Sequence, residues 1–431
     1  MCKTVPAARV VQLIHKGKSL TPSKADFRLA AQRAAILPLC GIVAAIDGFD
    51  TQVIGFTGRL IATELHIPQS RLGLVFTAGQ LGAVIGAMLF GALADRVGRR
   101  RMLIASCFVA ALFTGATLRA HDLQELLWCR ALTGLALGGA LPCLLSLVLH
   151  TIAADRRAAM TAMLYAMFPA GAVVGALASA PLIAAHGWRS VFIMAATLPA
   201  TAGFLLLVSL REMPVRQNAQ LAAAETTNRI AALFTGGRAT RTIWLWLLFI
   251  LVHPGIVLLA LWMPALLQML GVSPAQSSLL VASLNFGAVA LSFASGWLMQ
   301  RIGVMRFLLP VLILGAMSWI GISLFHADFP ILLMATTAAG CLIGGAMTTI
   351  VALCAVIYPE AIRATGIGWA LGVSRAGQMT APLLIGRLLG LGWPPESILL
   401  ACGAPVLLAV LPLIGLRRAM NTAPADRAIF N

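Results

Sequence analysis

Twelve long apolar segments constrain what this 431-residue chain can fold into. Each approaches the ~20 residues that an α-helix needs to cross the hydrocarbon core of a bilayer. The chain is 60% hydrophobic and only 10% charged, and a soluble domain has too little interior to bury so much apolar surface. We therefore predict an all-α membrane protein with twelve transmembrane helices. The segments lie at residues 34–56, 72–94, 102–119, 126–149, 158–184, 189–210, 242–268, 275–298, 303–325, 329–357, 365–390 and 396–416.

The basic residues indicate how these segments are oriented. Of the 31 Lys and Arg residues, 24 fall in the termini and alternate loops that would share one side of the membrane, four fall on the other side, and three lie within segments. Basic loops stay in the cytoplasm, so both termini are predicted to be cytoplasmic in a multi-pass protein of the cell (inner) membrane. The net charge of +17 thus reflects topology and a lipid partner, with no binding of nucleic acid.

A polar connection in the middle divides the chain into two halves of six segments each. The sequence around Gly91-Ala92-Leu93-Ala94-Asp95-Arg96, at the end of the second segment, has a degenerate copy 205 residues later, at the end of the eighth. Equivalent loops in two halves indicate parallel internal repeats. The predicted organisation is an N-terminal tail at 1–33, a six-helix half at 34–210, a linker at 211–241, a second six-helix half at 242–416 and a C-terminal tail at 417–431.

Two acids in the first segment are the first candidate functional residues. Asp47 and Asp50 share one face of a helix in a low-dielectric setting, where charge is costly and usually serves a function. Arg130 enters the fourth segment at a comparable depth, which allows a cross-helix ion pair. One interpretation is that these carboxylates take up protons from outside the cell, with Arg130 close to the substrate; the alternative is a static salt bridge that fixes helix packing.

Arg375 lies near the middle of the eleventh segment, too deep for its guanidinium to reach water easily. The planar fork of a guanidinium suits the carboxylate of a substrate. The alternative is that Arg375 pairs with a helix carbonyl or with a carboxylate of the protein. Because Asp47 and Asp50 are the only acids within the apolar segments away from their ends, an anionic ligand is the first hypothesis.

Several other polar or aromatic residues within the segments are candidates for contact with a small molecule. His253 precedes Pro254 and can serve as a proton relay or as a hydrogen-bond donor to a ring substituent; the alternative is a packing role. Asn285 and Gln80 can meet a ring hydroxyl, although polar side chains commonly join helices to each other. Aromatic residues that can stack on a ring, or face lipid instead, are Tyr165, Trp262 and Trp369.

The sequence contains no pattern that points to an enzyme. No nucleophile with a positioned base and no metal-ligand spacing such as His-x-x-x-His is present. The eight cysteines fall almost entirely in apolar segments without Cys-x-x-Cys spacing, as expected of small core residues. We therefore predict no catalytic residues, no bound metal and no cofactor, with protons as the only coupling ion.

Two motifs carry a resemblance to a known family. The loop Gly91-x-x-x-Asp95-Arg96-x-Gly98-Arg99-Arg100 is similar to the signature of the major facilitator superfamily. Asp47-Gly48-Phe49-Asp50 resembles the first-segment signature of its aromatic acid:proton symporters, and the stretches 130–142 and 358–377 add to the likeness. Gln300 departs from the pattern by replacing an acid in the second copy of the loop, so any electrostatic lock there should be weaker.

This resemblance implies a function as well as a fold. We expect a monomer that takes up an aromatic, hydroxylated carboxylate together with protons by alternating access. It also implies that the loop with Asp95 and its arginines forms a conformational lock, the alternative being a topology signal only. A proton-coupled exporter of drugs or other organic compounds shares the fold and remains the alternative function; the absence of a Gly-Pro pair from the fifth segment argues against it.

Overall fold

The computed structural model describes residues 24–151, 157–210 and 230–421, which form helices and turns with no β-strand among them. The N-terminal half contains α1 (Lys24–Glu64), α2 (Leu72–Val97), α3 (Arg99–Ala116), α4 (Leu123–Thr151), α5 (Arg157–His186) and α6 (Trp188–Ser209). The C-terminal half contains α7 (Ala239–Val257, a π-helical turn Leu258–Trp262 and Met263–Met269), α8 (Pro274–Ile302), α9 (Val304–Leu324), α10 (Phe329–Ile357), α11 (Glu360–Gly390) and α12 (Pro395–Cys402, Ala404–Leu408 and Val410–Asn421).

The predicted all-α fold of two six-helix halves is confirmed. Eleven helices of the described part are long and apolar enough to cross a membrane. The remaining one, α11, has 31 residues and therefore the necessary length, but Ser374, Arg375 and Gln378 lie in its middle and lower its hydropathy. The helix with the most polar centre is thus held in the bundle by its neighbours rather than by its own composition.

The described helices extend beyond several of the predicted segment ends. Helix α1 begins at Lys24, so residues 24–33 of the predicted N-terminal tail are helical. Helix α12 ends at Asn421, within the predicted C-terminal tail. The rest of both tails, 1–23 and 422–431, and residues 211–229 of the predicted linker lie outside the described residues.

The internal repeat seen in the sequence is also present in the backbone. Gly98 and Gly303 follow α2 and α8 with φ angles of 107° and 84°, a conformation that costs glycine little. They are separated by 205 residues, the spacing of the sequence repeat. Two more pairs with positive φ have the same separation: His66 with Gly271, and Gly187 with Gly392. The helix connections of the two halves therefore turn in the same way at equivalent positions.

The two halves meet closely at the end of the bundle that carries the α1–α2 and α7–α8 connections, here called the closed end. Gly55 of α1 lies against the main chain of Ala260, and the Arg59 guanidinium donates to the carbonyl oxygen of Gln268. Helix α2 meets α11 at the same end: the Thr77 hydroxyl donates to the Met379 carbonyl oxygen at 3.1 Å. Small residues and main-chain acceptors thus let the helices approach each other closely.

Towards the opposite end, here called the open end, the halves leave room between them. Gly368 and Gly372 of α11 face open space, because a Cβ added to either would meet no atom within 4 Å. Tyr165 on α5 and Trp369 on α11 are 50% and 42% exposed. The cleft between the halves is therefore sealed at one end and accessible from the other.

Candidate functional site

Asp47 and Asp50 lie on α1 where this helix packs tightly against α5. Gly48, between them, allows that approach, because a Cβ at this position would collide with the main-chain carbonyl of Phe168. Both carboxylates are buried, with 8% and 2% of the residue exposed. Close packing fixes the rotation of α1, so the two carboxylates are held against different neighbours although they are only three residues apart.

Asp50 points into the N-terminal half, towards α3 and α4. The Thr114 hydroxyl donates to its Oδ1 at 2.8 Å, and Arg130 Nη1 lies 3.8 Å from its Oδ2. The cross-helix ion pair expected from the sequence is therefore present. Arg130 is 4% exposed, so both charges are withdrawn from solvent and depend on each other for compensation.

Threonines and an aromatic ring surround the remaining edges of Arg130. Its Nη2 lies 3.4 Å from the hydroxyl oxygens of Thr117 and Thr133. The guanidinium carbon lies 5.3 Å from the centroid of the Phe192 ring on α6, a cation–π arrangement. Nε is buried without a hydrogen-bond partner among the described residues, and Nη1 makes only the 3.8 Å ion contact with Asp50. As placed, Arg130 is occupied by protein groups, and its contact with a substrate stays a prediction.

Asp47 points towards the cleft between the halves. The Thr51 hydroxyl donates to its Oδ1 at 3.3 Å, and its charge interacts with that of Arg375 on α11. Arg375 also lies within electrostatic range of Tyr165 on α5. One site thus contains Asp47, the predicted proton-coupling acid, and Arg375, the arginine predicted to bind the substrate. The two residues come from opposite halves.

Arg375 differs from Arg130 in its lack of a fixed partner. Within the described residues its guanidinium makes no hydrogen bond or ion pair of 4 Å or less. It is only partly buried, so its donors are available to a molecule in the cleft. Five N–H groups in a planar fork suit a carboxylate, and the binding of one at Arg375 stays a prediction.

His253 on α7 lies beside Ser374 and Arg375. Helices α7 and α11 meet here because Gly377 packs against Pro254; a Cβ on Gly377 would lie 2.8 Å from the proline Cγ. His253 Nδ1 is 2.8 Å from the Ser374 hydroxyl oxygen, and its ring lies within electrostatic range of Arg375. The structure therefore brings this predicted residue to the site.

Asn285 is engaged across the two halves. Gln52 Nε2 donates to Asn285 Oδ1 at 3.1 Å, and Asn285 Nδ2 donates back to Gln52 Oε1 at 2.7 Å and to the Val281 carbonyl oxygen at 2.8 Å. Both amides are 6% exposed. This geometry matches the alternative use foreseen for such residues, in which polar side chains join helices.

Two further candidates lie on α2 and α11. Gln80 on α2 is partly buried and has no hydrogen bond to another described residue. Trp369 stacks on Trp246 of α7, with ring centroids 6.2 Å apart and planes at 14°. One face of its ring is therefore taken by the protein, while the side chain as a whole stays 42% exposed.

The conformational loop predicted at 91–100 joins α2 to α3. Gly91, Asp95 and Arg96 lie in the last turns of α2, and Gly98 starts the turn; the side-chain environment of Asp95 lies outside what the structure describes. Arg99 follows at the start of α3. Arg100 Nη2 donates to the Leu207 carbonyl oxygen of α6 at 2.7 Å. This arginine ties the loop to the neighbouring helix.

Sequence reasoning missed several residues that complete the site. Thr114, Thr117 and Thr133 surround the ion pair, and Ser374 orients the histidine. Threonine and serine are common in membrane helices, and only the packing of helices makes these particular hydroxyls converge. Trp262, considered for ring stacking, is fully buried instead; its Nε1 donates to the Pro382 carbonyl oxygen at 3.2 Å. For Ser374 the sequence did offer a signal of its place at the site, because this residue directly precedes Arg375.

Comparison with known proteins agrees with this arrangement. A profile of the Major Facilitator Superfamily matches residues 40–273 and, a second time, residues 245–428. The chain belongs to this superfamily of membrane transporters, and it is a transporter rather than an enzyme.

Curated relatives narrow the resemblance. The chain is 32% identical over 410 residues to the 4-hydroxybenzoate transporter PcaK of Pseudomonas aeruginosa, covering 88% of this chain and 91% of the relative. It is 32% identical over 398 residues to the 3-(3-hydroxy-phenyl)propionate transporter of Escherichia coli K12, covering 91% and 94%. A gallate transporter of Pseudomonas putida is 30% identical over 413 residues, covering 90% and 92%. The resemblance to aromatic acid transporters expected from the motifs is confirmed.

Solved structures support the same fold. A point mutant of the nucleoside transporter NupG matches with a TM-score of 0.72 at 13% identity, covering 88% of this chain and 99% of that one. The D-xylose-proton symporter matches with a TM-score of 0.70 at 15% identity, covering 88% and 96%. At such low identities these likenesses establish the architecture alone.

Proposed function

We propose that this chain imports an aromatic carboxylate together with one or more protons by alternating access. The observation that carries the proposal is Arg375, whose guanidinium has no hydrogen bond or ion pair within the described residues and borders the cleft between the halves. The three relatives named above transport hydroxylated aromatic acids. A carboxylate of that class would bind Arg375 through the planar fork.

Proton coupling follows from the longer-range interaction of Arg375 with Asp47. When a substrate carboxylate binds Arg375, two negative charges share one positive charge in a low-dielectric cleft. The uncompensated charge is costly there, and a proton on Asp47 removes it. Substrate and proton therefore favour each other's binding, and closure around both is easier than closure around either alone.

Asp50 has a different part in this scheme. Arg130 and Thr114 hold its carboxylate inside the N-terminal half. A proton arriving on Asp50 would release Arg130 from its ion pair, which links protonation to the packing of α1, α3 and α4. In this proposal Asp47 senses the substrate directly and Asp50 responds through helix packing.

The direction of transport is argued from the membrane potential and from charge topology. An anion that enters a cell works against about 2.3 kcal/mol per charge per 100 mV, which a co-transported proton cancels. The basic loops favour a cytoplasmic open end, with both termini on that side. The protein is then a monomer in the inner membrane whose halves, 34–210 and 242–416, rock about the site while the 91–100 loop controls closure of the cytoplasmic end.

The test is uptake of radiolabelled aromatic acids into cells that lack such transport of their own. We expect accumulation that is greater at an outside pH of about 6 than at about 8 and that collapses with a protonophore, since the proton gradient drives it. Asp47→Asn should lose the pH dependence, and Arg375→Gln should lose uptake. Asp122→Asn, an exposed acid in the α3–α4 connection, serves as the matched control and should behave like the wild type.

Two results would contradict the proposal. Uptake that is unchanged by pH and by the protonophore would rule out proton coupling. Absence of uptake, combined with proton-dependent efflux of an organic compound from loaded cells, would establish the exporter instead. Expression and membrane insertion of each variant are measured in parallel by fluorescence of a C-terminal fusion.

A further inference from the structure

The hydrogen bonds around His253 determine which of its ring nitrogens carries a proton. Ser374, which is fully buried, has two polar neighbours within hydrogen-bond distance. Its hydroxyl oxygen lies 2.7 Å from the carbonyl oxygen of Leu371 and 2.8 Å from His253 Nδ1. A serine hydroxyl has a single proton, so it can donate to only one of them.

The carbonyl oxygen receives that proton. A carbonyl can only accept, and two oxygens 2.7 Å apart without a proton between them would repel each other. The Ser374 oxygen must then accept from His253, so Nδ1 carries the ring proton. The tautomer of the histidine is thus assigned from its hydrogen-bond network.

It follows that Nε2 is the unprotonated nitrogen of the neutral ring and a hydrogen-bond acceptor. Nε2 makes no hydrogen bond to any described residue. It is not fully enclosed by the described residues either, so it stays accessible. Arg375 lies within electrostatic range, and a second positive charge on the ring beside it would be unfavourable. The cleft therefore presents a guanidinium that only donates and an imidazole nitrogen that accepts.

We infer that His253 is a specificity-determining residue whose Nε2 accepts a hydrogen bond from a ring hydroxyl of the substrate while Arg375 holds the carboxylate. This inference rests on the proposed function and adds a selection rule to it. The site favours aromatic acids that carry a free hydroxyl over otherwise similar acids that carry no proton donor on the ring. It differs from the donor role that was one of the alternatives considered from the sequence.

The experiment compares matched substrates in proteoliposomes that contain the purified full-length chain. The substrates are benzoate and 3-phenylpropionate, each bearing hydroxyl, fluorine, methoxy or hydrogen at the meta or para ring position. Fluorine is close to hydroxyl in size but has no proton, and methoxy keeps the oxygen while losing the donor. We expect kcat/KM for the best hydroxylated acid to exceed that of its fluoro analogue about tenfold or more, since an acceptor left unpaired is costly.

Three variants test the assignment. His253→Phe removes the acceptor and should bring the hydroxyl-to-fluoro ratio close to one. His253→Gln supplies an amide oxygen that can accept, and should retain part of the ratio. Ser374→Ala releases Nδ1, allows both tautomers, and should give an intermediate ratio. His326→Phe is the control. Nδ1 of His326 also lies within hydrogen-bond distance of an oxygen, the Ser323 carbonyl oxygen at 2.7 Å, but His326 is in the α9–α10 connection.

Each outcome has a distinct meaning. If the wild type carries no aromatic acid, the proposed function fails. If it carries them but His253→Phe leaves the ratio unchanged, this inference alone is overturned, and so it is if methoxy acids are carried as well as hydroxylated ones. If His253→Phe does not fold, an unchanged ratio in both Ser374→Ala and His253→Gln overturns the inference equally.

Discussion

Two arginines near the centre of this protein, one in each half of the bundle, have opposite surroundings. Arg130 is 4% exposed and enclosed by Asp50, two threonine hydroxyls and the Phe192 ring. Arg375 borders the cleft without a fixed partner among the described residues and shares only a longer-range interaction with Asp47. A charge that the fold already compensates stabilises structure, whereas one left available can bind a ligand. We therefore expect the same residue type to serve two purposes, decided by its neighbours.

The largest effect that this comparison predicts is on stability. Arg130→Gln leaves the Asp50 carboxylate buried without its cation, which should lower the free energy of unfolding by about 3–5 kcal/mol. Arg375→Gln removes a cation that the fold does not pair, and should stay within about 0.5 kcal/mol of the wild type. Unfolding in mixed micelles measures both. The double variant Asp50→Asn with Arg130→Gln should recover most of the lost stability. Equal losses from Arg130→Gln and Arg375→Gln would contradict the difference between the two arginines.

On transport, Arg375 should matter most. Arg375→Gln should lower kcat/KM for the aromatic acid about 100-fold, equivalent to about 2.7 kcal/mol, because a charge-assisted contact to the carboxylate is lost. Arg375→Lys keeps the charge without the planar fork and should lose about tenfold. The matched control is Arg387→Gln on the same helix. Arg387 lines a separate cavity of about 400 Å³ at the closed end. If Arg387→Gln is as harmful as Arg375→Gln, the position of the charge is not what counts.

A smaller effect is expected at the threonines beside the Asp50–Arg130 pair. Thr114→Val removes a 2.8 Å hydrogen bond to the carboxylate and should reduce stability by about 1.5–3 kcal/mol, as for hydrogen bonds to charged groups. Thr117→Val should cost less, because that hydroxyl donates to the Phe113 carbonyl oxygen and lies 3.4 Å from Arg130. Thermal unfolding of both variants at one pH checks the order, and the reverse order would contradict the network described here.

The smallest predicted effect concerns the ring above Arg130. A double-mutant cycle between Phe192→Leu and Arg130→Met should give a coupling free energy of about 1–2 kcal/mol, in the range of desolvated cation–π contacts. The cycle is needed because Phe192→Leu also removes buried apolar volume. A coupling free energy of zero would mean that the ring encloses the guanidinium without stabilising its charge.

The sequence was sufficient to predict the architecture and the charged residues. Apolar length determines how many helices cross a bilayer, and acids or arginines within such helices are rare enough to stand out, as Asp47, Asp50 and Arg375 did. The 205-residue repeat predicted the two halves and reappears in the backbone at Gly98 and Gly303.

Pairing could not be read from the sequence, because it depends on how neighbouring helices are rotated. Nothing in the sequence indicates that Asp50 rather than Asp47 meets Arg130, which depends on the contact of Gly48 with α5. Asn285 pairs with Gln52 from the other half, 233 residues away. Side chains that look equivalent along one helix are distinguished only by the helices packed against it.

The polar centre of α11 also bears on how this protein is made. An isolated helix with an arginine near its midpoint enters a bilayer poorly, at a cost of about 2.5–3.5 kcal/mol on scales based on the cellular insertion machinery. Helix α11 contacts α2 and α7, both of which are synthesised earlier and are apolar enough to insert by themselves. Insertion of α11 should therefore be a late, cooperative step, in which the helix that carries Arg375 leaves the insertion machinery only when earlier helices are there to receive it.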